Sequence, residues 1–164
     1  MKQTIAWAAV TVLSVAMITP ALSQSTTQEI DFFHSVVSVG IPPLAEFKKN
    51  PTPRPDFSIY SVDAQSKSLL SIYVGAAPDL PPRSALTYFY IGKCIAFERM
   101  QHGTRGRDVF VPFGSSPLLD HWMHLYYADL EPVDARKADA IVNSLTPVSG
   151  VGCFTALPPD ELLR

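Results

Sequence analysis

The chain has 164 residues, of which 13 are Lys or Arg and 15 are Asp or Glu, so its formal net charge is −2. The lack of a basic excess argues against nucleic-acid binding, because proteins gain that affinity by neutralising phosphates. The length and a hydrophobic content of 47% suit one globular domain with a buried core.

The N-terminal segment has the three-part layout of a secretory signal. Lys2 gives a positive start, residues 5–18 (IAWAAVTVLSVAMI) are apolar and uncharged, and residues 21–23 (ALS) place small residues before a cleavage point. The apolar run is shorter than the ~20 residues that a membrane-spanning helix needs. We therefore expect residues 1–23 to be removed as a signal peptide. Residues 24–164 would then form a single periplasmic or secreted domain with no membrane span.

The chain has two cysteines, Cys94 and Cys153. In an oxidising compartment an even number of cysteines usually pairs. The bridge would close a loop of about 60 residues, for which the chain-entropy model gives roughly 4 kcal/mol. We expect this disulfide to tether the tail, residues 148–164, to the strand that carries Cys94. A catalytic role for Cys94 is disfavoured because no neighbouring group in the sequence would activate the thiol.

Strand-forming and proline-rich segments alternate in the first half of the domain. Residues 30–39 (IDFFHSVVSV) suit a strand or a short helix, and periodicity does not decide between them. Residues 42–55 contain five prolines, which predicts an extended strap across the surface. Residues 57–62 and 69–74 are β-rich and flank a short polar linker, which predicts a β-hairpin.

The next segments are also β-rich. Residues 86–99 predict either one strand with a bulge at Gly92 or two strands joined there by a tight turn. Residues 108–113 predict a strand at a sheet edge, because Pro112 cannot donate a hydrogen bond to a neighbour. Residues 118–127 predict the antiparallel partner of that strand.

An amphipathic helix is predicted over residues 132–145. Pro132 suits the first helical position, and Pro147 ends the pattern. Apolar side chains recur at i, i+3, i+4 and i+7, which gives one buried stripe: Ala138, Ile141, Val142 and Leu145. Several strands followed by one helix predict an α+β fold, with an antiparallel sheet of about five to six strands and the helix packed on one face.

Two segments of the chain carry a resemblance: residues 56–75 (DFSIYSVDAQSKSLLSIYVG) and 138–147 (ADAIVNSLTP). Together they resemble small exported bacterial proteins of PsbP/Mog1-like type, which are mostly uncharacterised. The resemblance implies a curved antiparallel sheet with a C-terminal helix. Neither segment carries catalytic residues, so the resemblance implies no activity.

One candidate ligand-binding set surrounds two glycines in the segment between the predicted strands. It consists of four basic or titratable side chains: Arg99, His102, Arg105 and Arg107. Arginine forks and turn amides can hold a carboxylate or a phosphate, so we predict a small-anion contact here. The alternative is a solvated hairpin tip, and the spacing is not that of a phosphate-binding loop.

Asp120, His121 and His124 are an alternative set, of metal ligands. On a helix the two histidines would share a face and could bind a divalent ion with the carboxylate. On a strand they would point to opposite faces. We favour the strand, because the segment is rich in aromatic residues and follows a turn, and we expect no metal or other cofactor.

An aromatic set also recurs along the predicted strands: Tyr60, Tyr73, Tyr88, Tyr90, Trp122 and Tyr126. An aromatic sheet face can bind an apolar or sugar-like ligand. The simpler expectation is that these rings form core beneath the helix.

These patterns favour a non-catalytic function, because the chain lacks a GxSxG elbow and its carboxylates form no assignable acid–base pair. We expect an exported protein that binds a small ligand or an envelope protein through the sheet face or residues 99–108. The alternative is a small periplasmic hydrolase or metal-dependent enzyme that uses His102, His121 or His124. A third possibility is an assembly factor that pairs through residues 108–113.

Overall fold

The computed structural model describes residues 25–32, 35–51, 56–76, 79–99, 106–113, 121–150 and 152–153. Within these ranges, ten strands and one α-helix account for most of the structure. The strands are β1 (Thr26–Phe32), β2 (Ser35–Ile41), β3 (Ala45–Asn50), β4 (Phe57–Ala64), β5 (Lys67–Gly75), β6 (Leu86–Ile91), β7 (Cys94–Arg99), β8 (Arg107–Phe113), β9 (His121–Tyr127) and β10 (Thr146–Gly150). The helix α1 is Pro132–Asn143, and a single 3-10 turn, Arg83–Ala85, precedes β6.

The predicted α+β fold with five to six strands is wrong, because the described structure is mostly β. Of the undecided segment at residues 30–39, the described residues 30–32 and 35–39 lie in the paired strands β1 and β2. The proline-rich segment at residues 42–55 contains β3. Pro42, Pro43 and Pro51 flank β3 rather than interrupt it, so every residue of this strand keeps its N–H donor.

The described strands form two antiparallel sheets. One has seven strands in the order β3-β4-β5-β9-β8-β7-β6, and the other has three in the order β1-β2-β10. The predicted hairpin is confirmed as β4 and β5, joined at Gln65 and Ser66, which both have positive φ, as a two-residue type I′ turn requires. Gly92, with φ 58°, begins the tight turn from β6 to β7, which decides between the two sequence alternatives.

The predicted edge position of residues 108–113 is wrong, because β8 lies between β9 and β7. The pairing of β8 with β7 is short and joins Phe110 to Phe97 and Val109 to Glu98. Pro112 lies beyond that pairing, so its missing N–H donor removes no ladder bond to β7. Assembly through an open edge at residues 108–113 therefore has no structural basis.

The core lies between the two sheets and α1. Their buried side chains form one continuous cluster that includes Val37 and Val39 of β2, Val109 and Val111 of β8, and Ile141 of α1. The predicted helix is confirmed, and its apolar stripe packs against β2, β5 and β9. None of the described helices is long and apolar enough to span a membrane.

Ser144, directly after α1, fastens the helix end to β2. Its Oγ accepts a hydrogen bond from the Gly40 N–H at 2.7 Å and donates one to the Ile141 carbonyl at 2.6 Å. A Cβ atom on Gly40 would lie 3.1 Å from the Ser144 side chain, so glycine permits this close approach. The contact aligns the three-stranded sheet with the helix.

The predicted disulfide between Cys94 and Cys153 is confirmed, with the two Cα atoms 5.3 Å apart. Cys94 is fully buried at the start of β7, and Cys153 forms an isolated bridge with Phe113 at the end of β8. The bridge spans 59 positions of the sequence. It therefore ties Cys153 to the half of the seven-stranded sheet that contains β7 and β8.

We expect Cys94→Ala to lower the free energy of unfolding by about 4 kcal/mol, because the unfolded chain regains the entropy of a long loop. Chemical denaturation of the oxidised protein and the variant measures this difference. Cys153→Ala and the double variant are matched controls, which should lose about the same amount because each removes the same bond. A loss below about 1 kcal/mol in all three would contradict this account of the bridge.

Candidate functional site

The seven-stranded sheet has an inner face, packed on α1 and the three-stranded sheet, and an outer face on the opposite side. Along β9, Met123 and Leu125 belong to the shared core. Because side chains alternate along a strand, Trp122, His124 and Tyr126 lie on the outer face. The polar side chains that form the candidate functional site lie on this outer face.

Part of the outer face is a second buried cluster. It consists of side chains from three neighbouring strands: Ile95, Phe97, Phe110 and Trp122. Leu80 and Leu86 pack against it, so the chain around the 3-10 turn covers this part of the sheet. Polar side chains beside this covered cluster are therefore less exposed to water.

Asp108 is at the centre of an ionic cluster on the outer face. Its Oδ1 lies 2.9 Å from His124 Nε2, and its Oδ2 lies 3.6 Å from Arg99 Nε. The exposed fractions of the side chains are 13% for Asp108, 16% for His124 and 36% for Arg99. The carboxylate therefore contacts a partly buried imidazole on one side and a half-exposed guanidinium on the other.

The sheet register produces this arrangement. Asp108 of β8 is directly opposite Tyr126 of β9, and Phe110 is opposite His124. The β7–β8 pairing ends at Glu98 and Val109, and Arg99 and Asp108, the next residue along each strand, lie side by side on the outer face. Three adjacent strands thus each contribute one member of the cluster to the same face.

Two aromatic rings hold the His124 imidazole in place. Its centroid lies 4.2 Å from that of Phe110, with the ring planes 13° apart, and 4.8 Å from that of Tyr126 at 31°. Stacking and the hydrogen bond to Asp108 together fix the ring orientation. His124 is therefore a positioned group rather than a mobile surface histidine.

The pKa of His124 lies below its ordinary value, mainly because burial penalises the charged imidazolium. The hydrogen bond and the negative charge of Asp108 oppose this shift, Arg99 adds to it, and Asp79 opposes it from the neighbouring loop. His124 is therefore neutral at neutral pH, and Asp108 carries the negative charge that faces Arg99.

Arg99 is the candidate from the predicted anion-binding set that lies on the outer face. Its Nε is buried and has no hydrogen-bond partner in the described part of the chain. The 3.6 Å approach to Asp108 is an ion pair that is too long for a hydrogen bond. With a third of its side chain exposed, Arg99 can present the far end of its guanidinium to a ligand.

Arg107, in the same predicted set, lies on the inner face instead. Its Nε donates to Glu98 at 3.0 Å, and its Nη1 donates to Asp139 of α1 at 2.8 Å. The Tyr127 hydroxyl also donates to Asp139, at 3.1 Å, and burial raises the pKa of Tyr127 to about 12. Arg107 therefore connects the sheet to the helix and is held by two carboxylates.

Only some of the remaining candidate residues lie within the described part of the chain. His102, Arg105 and Asp120 lie outside the described residues. His121 and His124 both lie on β9, and their three-residue separation places them on opposite faces, as a strand predicts. Among the described residues no group of three or more His, Cys, Asp or Glu side chains is arranged to hold a metal ion.

The aromatic set is divided between both faces. Tyr60 is buried in the inner core, whereas Trp122 lies in the outer buried cluster. Tyr88 and Tyr90 of β6 are 58% and 59% exposed, so they are surface rings rather than core beneath the helix.

A shallow cavity of about 160 Å³ lies where β5 and the end of β9 meet. Its lining includes Leu69 and Ser71 on one side and Tyr126 on the other. Sites for drug-sized ligands usually enclose about 300–1,000 Å³. This cavity therefore suits a contact with a small group rather than the enclosure of a large ligand.

The sequence analysis placed His124 among possible metal ligands and missed its pairing with Asp108. The two residues are separated by 16 positions and meet only through the β8–β9 register. A local signal was present, because Asp108 begins an otherwise apolar strand (DVFVPF) in which a charged side chain needs a partner.

Comparisons of the chain with models of known protein families, with curated proteins and with solved structures find no match. The resemblance to PsbP/Mog1-like proteins stays a prediction.

The lowered pKa of His124 predicts a pH-dependent stability. The unfolded chain binds the proton more tightly, so the contribution of His124 is complete above its ordinary pKa and is lost as pH falls toward the lowered value. We expect the melting temperature to fall as pH is lowered from 7 to 5, and His124→Gln to remove part of that fall. His121→Gln is the matched control on the opposite face.

NMR titration of the imidazole measures the same property directly. Asp108→Asn should lower the pKa of His124 further, because the carboxylate favours the protonated ring. A His124 pKa at or above its ordinary value in the unmodified protein would contradict the dominance of burial.

Proposed function

We propose that this chain is an exported, non-catalytic binding protein that contacts a small carboxylate or phosphate ligand on the outer face at Arg99. The proposal rests on the position of the Arg99 guanidinium. Arg99 is anchored beside Asp108 by an ion pair at Nε, while a third of its side chain remains exposed. Arginine binds carboxylate and phosphate through paired N–H donors, so the terminal amino groups suit such a ligand.

The surroundings of Arg99 support binding rather than a purely structural role. Arg107, on the neighbouring strand β8, donates to two carboxylates at 2.8 and 3.0 Å. Arg99 has one acidic contact at 3.6 Å and a buried N–H without a hydrogen-bond acceptor among the described residues. An added anion would supply acceptors for the terminal amino groups at the exposed end of Arg99, while Nε stays beside Asp108.

Export is supported by the signal-like layout of residues 1–23 and by the disulfide. A bridge between Cys94 and Cys153 fits an oxidising compartment, although it identifies neither the periplasm nor the exterior. The alternative ligand within this proposal is an envelope protein that presents a carboxylate to the same face.

A small hydrolase is the second candidate, and the Asp108–His124 pair is the observation in its favour. A carboxylate that orients an imidazole is two-thirds of a nucleophilic triad. In the described part of the chain, however, no hydroxyl or thiol is hydrogen-bonded to His124, whose Nε2 is engaged by Asp108. The geometry therefore supports binding better than acyl transfer.

Intact-mass analysis of protein recovered from the native envelope or culture medium tests export. We expect a species that begins at Gln24 and is two hydrogens lighter than the reduced chain, because the signal is removed and the cysteines are joined. A full-length, fully reduced chain would contradict the proposal.

Calorimetric titration with inorganic phosphate, sulfate and citrate tests the ligand class. We expect Arg99→Ala to weaken binding of the preferred anion about tenfold or more, since one charged hydrogen-bonded contact contributes about 1.5–3 kcal/mol. Arg136→Ala, on the exposed surface of α1, is the matched control with the same charge change and should bind normally.

Two results would contradict the anion proposal. One is the absence of binding to all three anions, and the other is equal affinity in Arg99→Ala and the unmodified protein. Hydrolysis of a p-nitrophenyl ester that His124→Gln abolishes would favour the hydrolase instead.

A further inference from the structure

The strands at the ends of the two described sheets differ in their protection against pairing. Natural edge strands usually carry charges, prolines or bulges that prevent a further strand from adding to them. Three of the four described end strands follow this pattern: β1 has Glu29 and Asp31, β3 has Glu46, Lys48 and Lys49, and β10 has Pro147. The fourth, β6, has the sequence LTYFYI, without a charge or a proline.

The outer face of β6 is also apolar and exposed. Tyr88 and Tyr90 are more than half exposed, and their rings meet edge to face at a centroid distance of 6.4 Å. Phe89 and Ile91 alternate with them and pack toward the inner core. In the described structure β6 forms its ladder with β7, and its other side ends the sheet.

We propose that β6 is a homodimer interface, in which β6 of a second copy pairs antiparallel with it about a twofold axis. The two seven-stranded sheets then become one continuous sheet. A twofold axis perpendicular to the sheet keeps the outer faces of both copies on the same side. Two residues that lie directly opposite each other must then point to the same face of the joined sheet. This condition restricts the register in which the two copies of β6 can pair.

The register centred on Phe89 meets this condition. It places Tyr88 opposite Tyr90 of the partner subunit, and Phe89 opposite Phe89 of the partner subunit. The four tyrosines then form one aromatic cluster on the outer face, which extends the edge-to-face pair already present in each copy. Lys93, in the turn after β6, falls opposite the partner's Ala85, so no like charges are opposed.

The charge pattern favours a second copy over an unrelated partner. An uncharged strand is complementary to itself, because antiparallel self-pairing opposes no like charges. The acidic residues of β1 and the mixed charges of β3 make those edges poor sites for the same symmetric contact. A twofold contact also closes on itself, so it ends at the dimer and does not propagate into fibres.

Charge complementation tests the interface. Tyr88→Lys/Tyr90→Lys and Tyr88→Glu/Tyr90→Glu each oppose like charges in the proposed register, so each variant alone should be a monomer by sedimentation equilibrium. An equimolar mixture should form a heterodimer, because every lysine then faces a glutamate. Val148→Lys, at an exposed position of β10, is the matched control and should remain dimeric like the unmodified protein.

Both tyrosines are exposed, so circular dichroism should show that the variants fold normally. Hydrogen exchange supplies a second measure, since the outward-facing β6 amides should be protected in the dimer and exchange faster on dilution. A monomeric unmodified protein, a lysine variant that stays dimeric, or assembly into open-ended oligomers would each overturn the proposal.

Discussion

The burial of β8 on both faces is the constraint on which the rest of the structure depends. Nearly every side chain of this strand is buried, from Asp108 to Phe113. Its inner residues join the core between the sheets, and its outer residues join the cluster covered by Leu80 and Leu86. A slip of one residue would turn Asp108 away from His124 and Arg99 and into the inner core, so the packing of both faces and this ion cluster together fix the register of β8 against β9. That register in turn determines which side chains meet on the outer face.

A carboxylate in such a strand needs compensating partners. Asp108, counted as a whole residue, is 9% exposed. An isolated buried charge is strongly unfavourable. His124 and Arg99 compensate it from the two neighbouring strands, at 2.9 and 3.6 Å. The His124 ring is partly buried and its pKa is lowered by that burial, so the charge of Asp108 acts mainly on Arg99. The cluster thus compensates the buried charge of Asp108 and at the same time holds the Arg99 guanidinium at the surface. The same geometry can therefore serve both the stability of the sheet and the proposed ligand contact.

The sequence predicted the elements whose signals are local. The β4–β5 hairpin has its turn and both strands within twenty residues, and α1 has an apolar stripe between Pro132 and Pro147. Non-local features were missed. Pro112 suggested an edge, but the short β7 pairing lets an interior strand contain it. Arg99 and Arg107 are close in sequence, yet they lie on opposite faces: Arg99 alternates in phase with Phe97 of the outer cluster, and Arg107 with Val109 of the inner core.

The two proposed surfaces share the outer face without obstructing each other. In the self-paired sheet, three strand spacings separate β7 from β7 of the partner subunit, or roughly 14 Å. Arg99 is opposite Leu86, at the end of β6 away from the paired tyrosines, so the twofold axis places the two Arg99 side chains toward opposite ends of the joined strands. Pairing therefore leaves each ionic cluster open to its ligand. Loss of self-association and loss of anion binding are separable effects, because they depend on different residues of the same face.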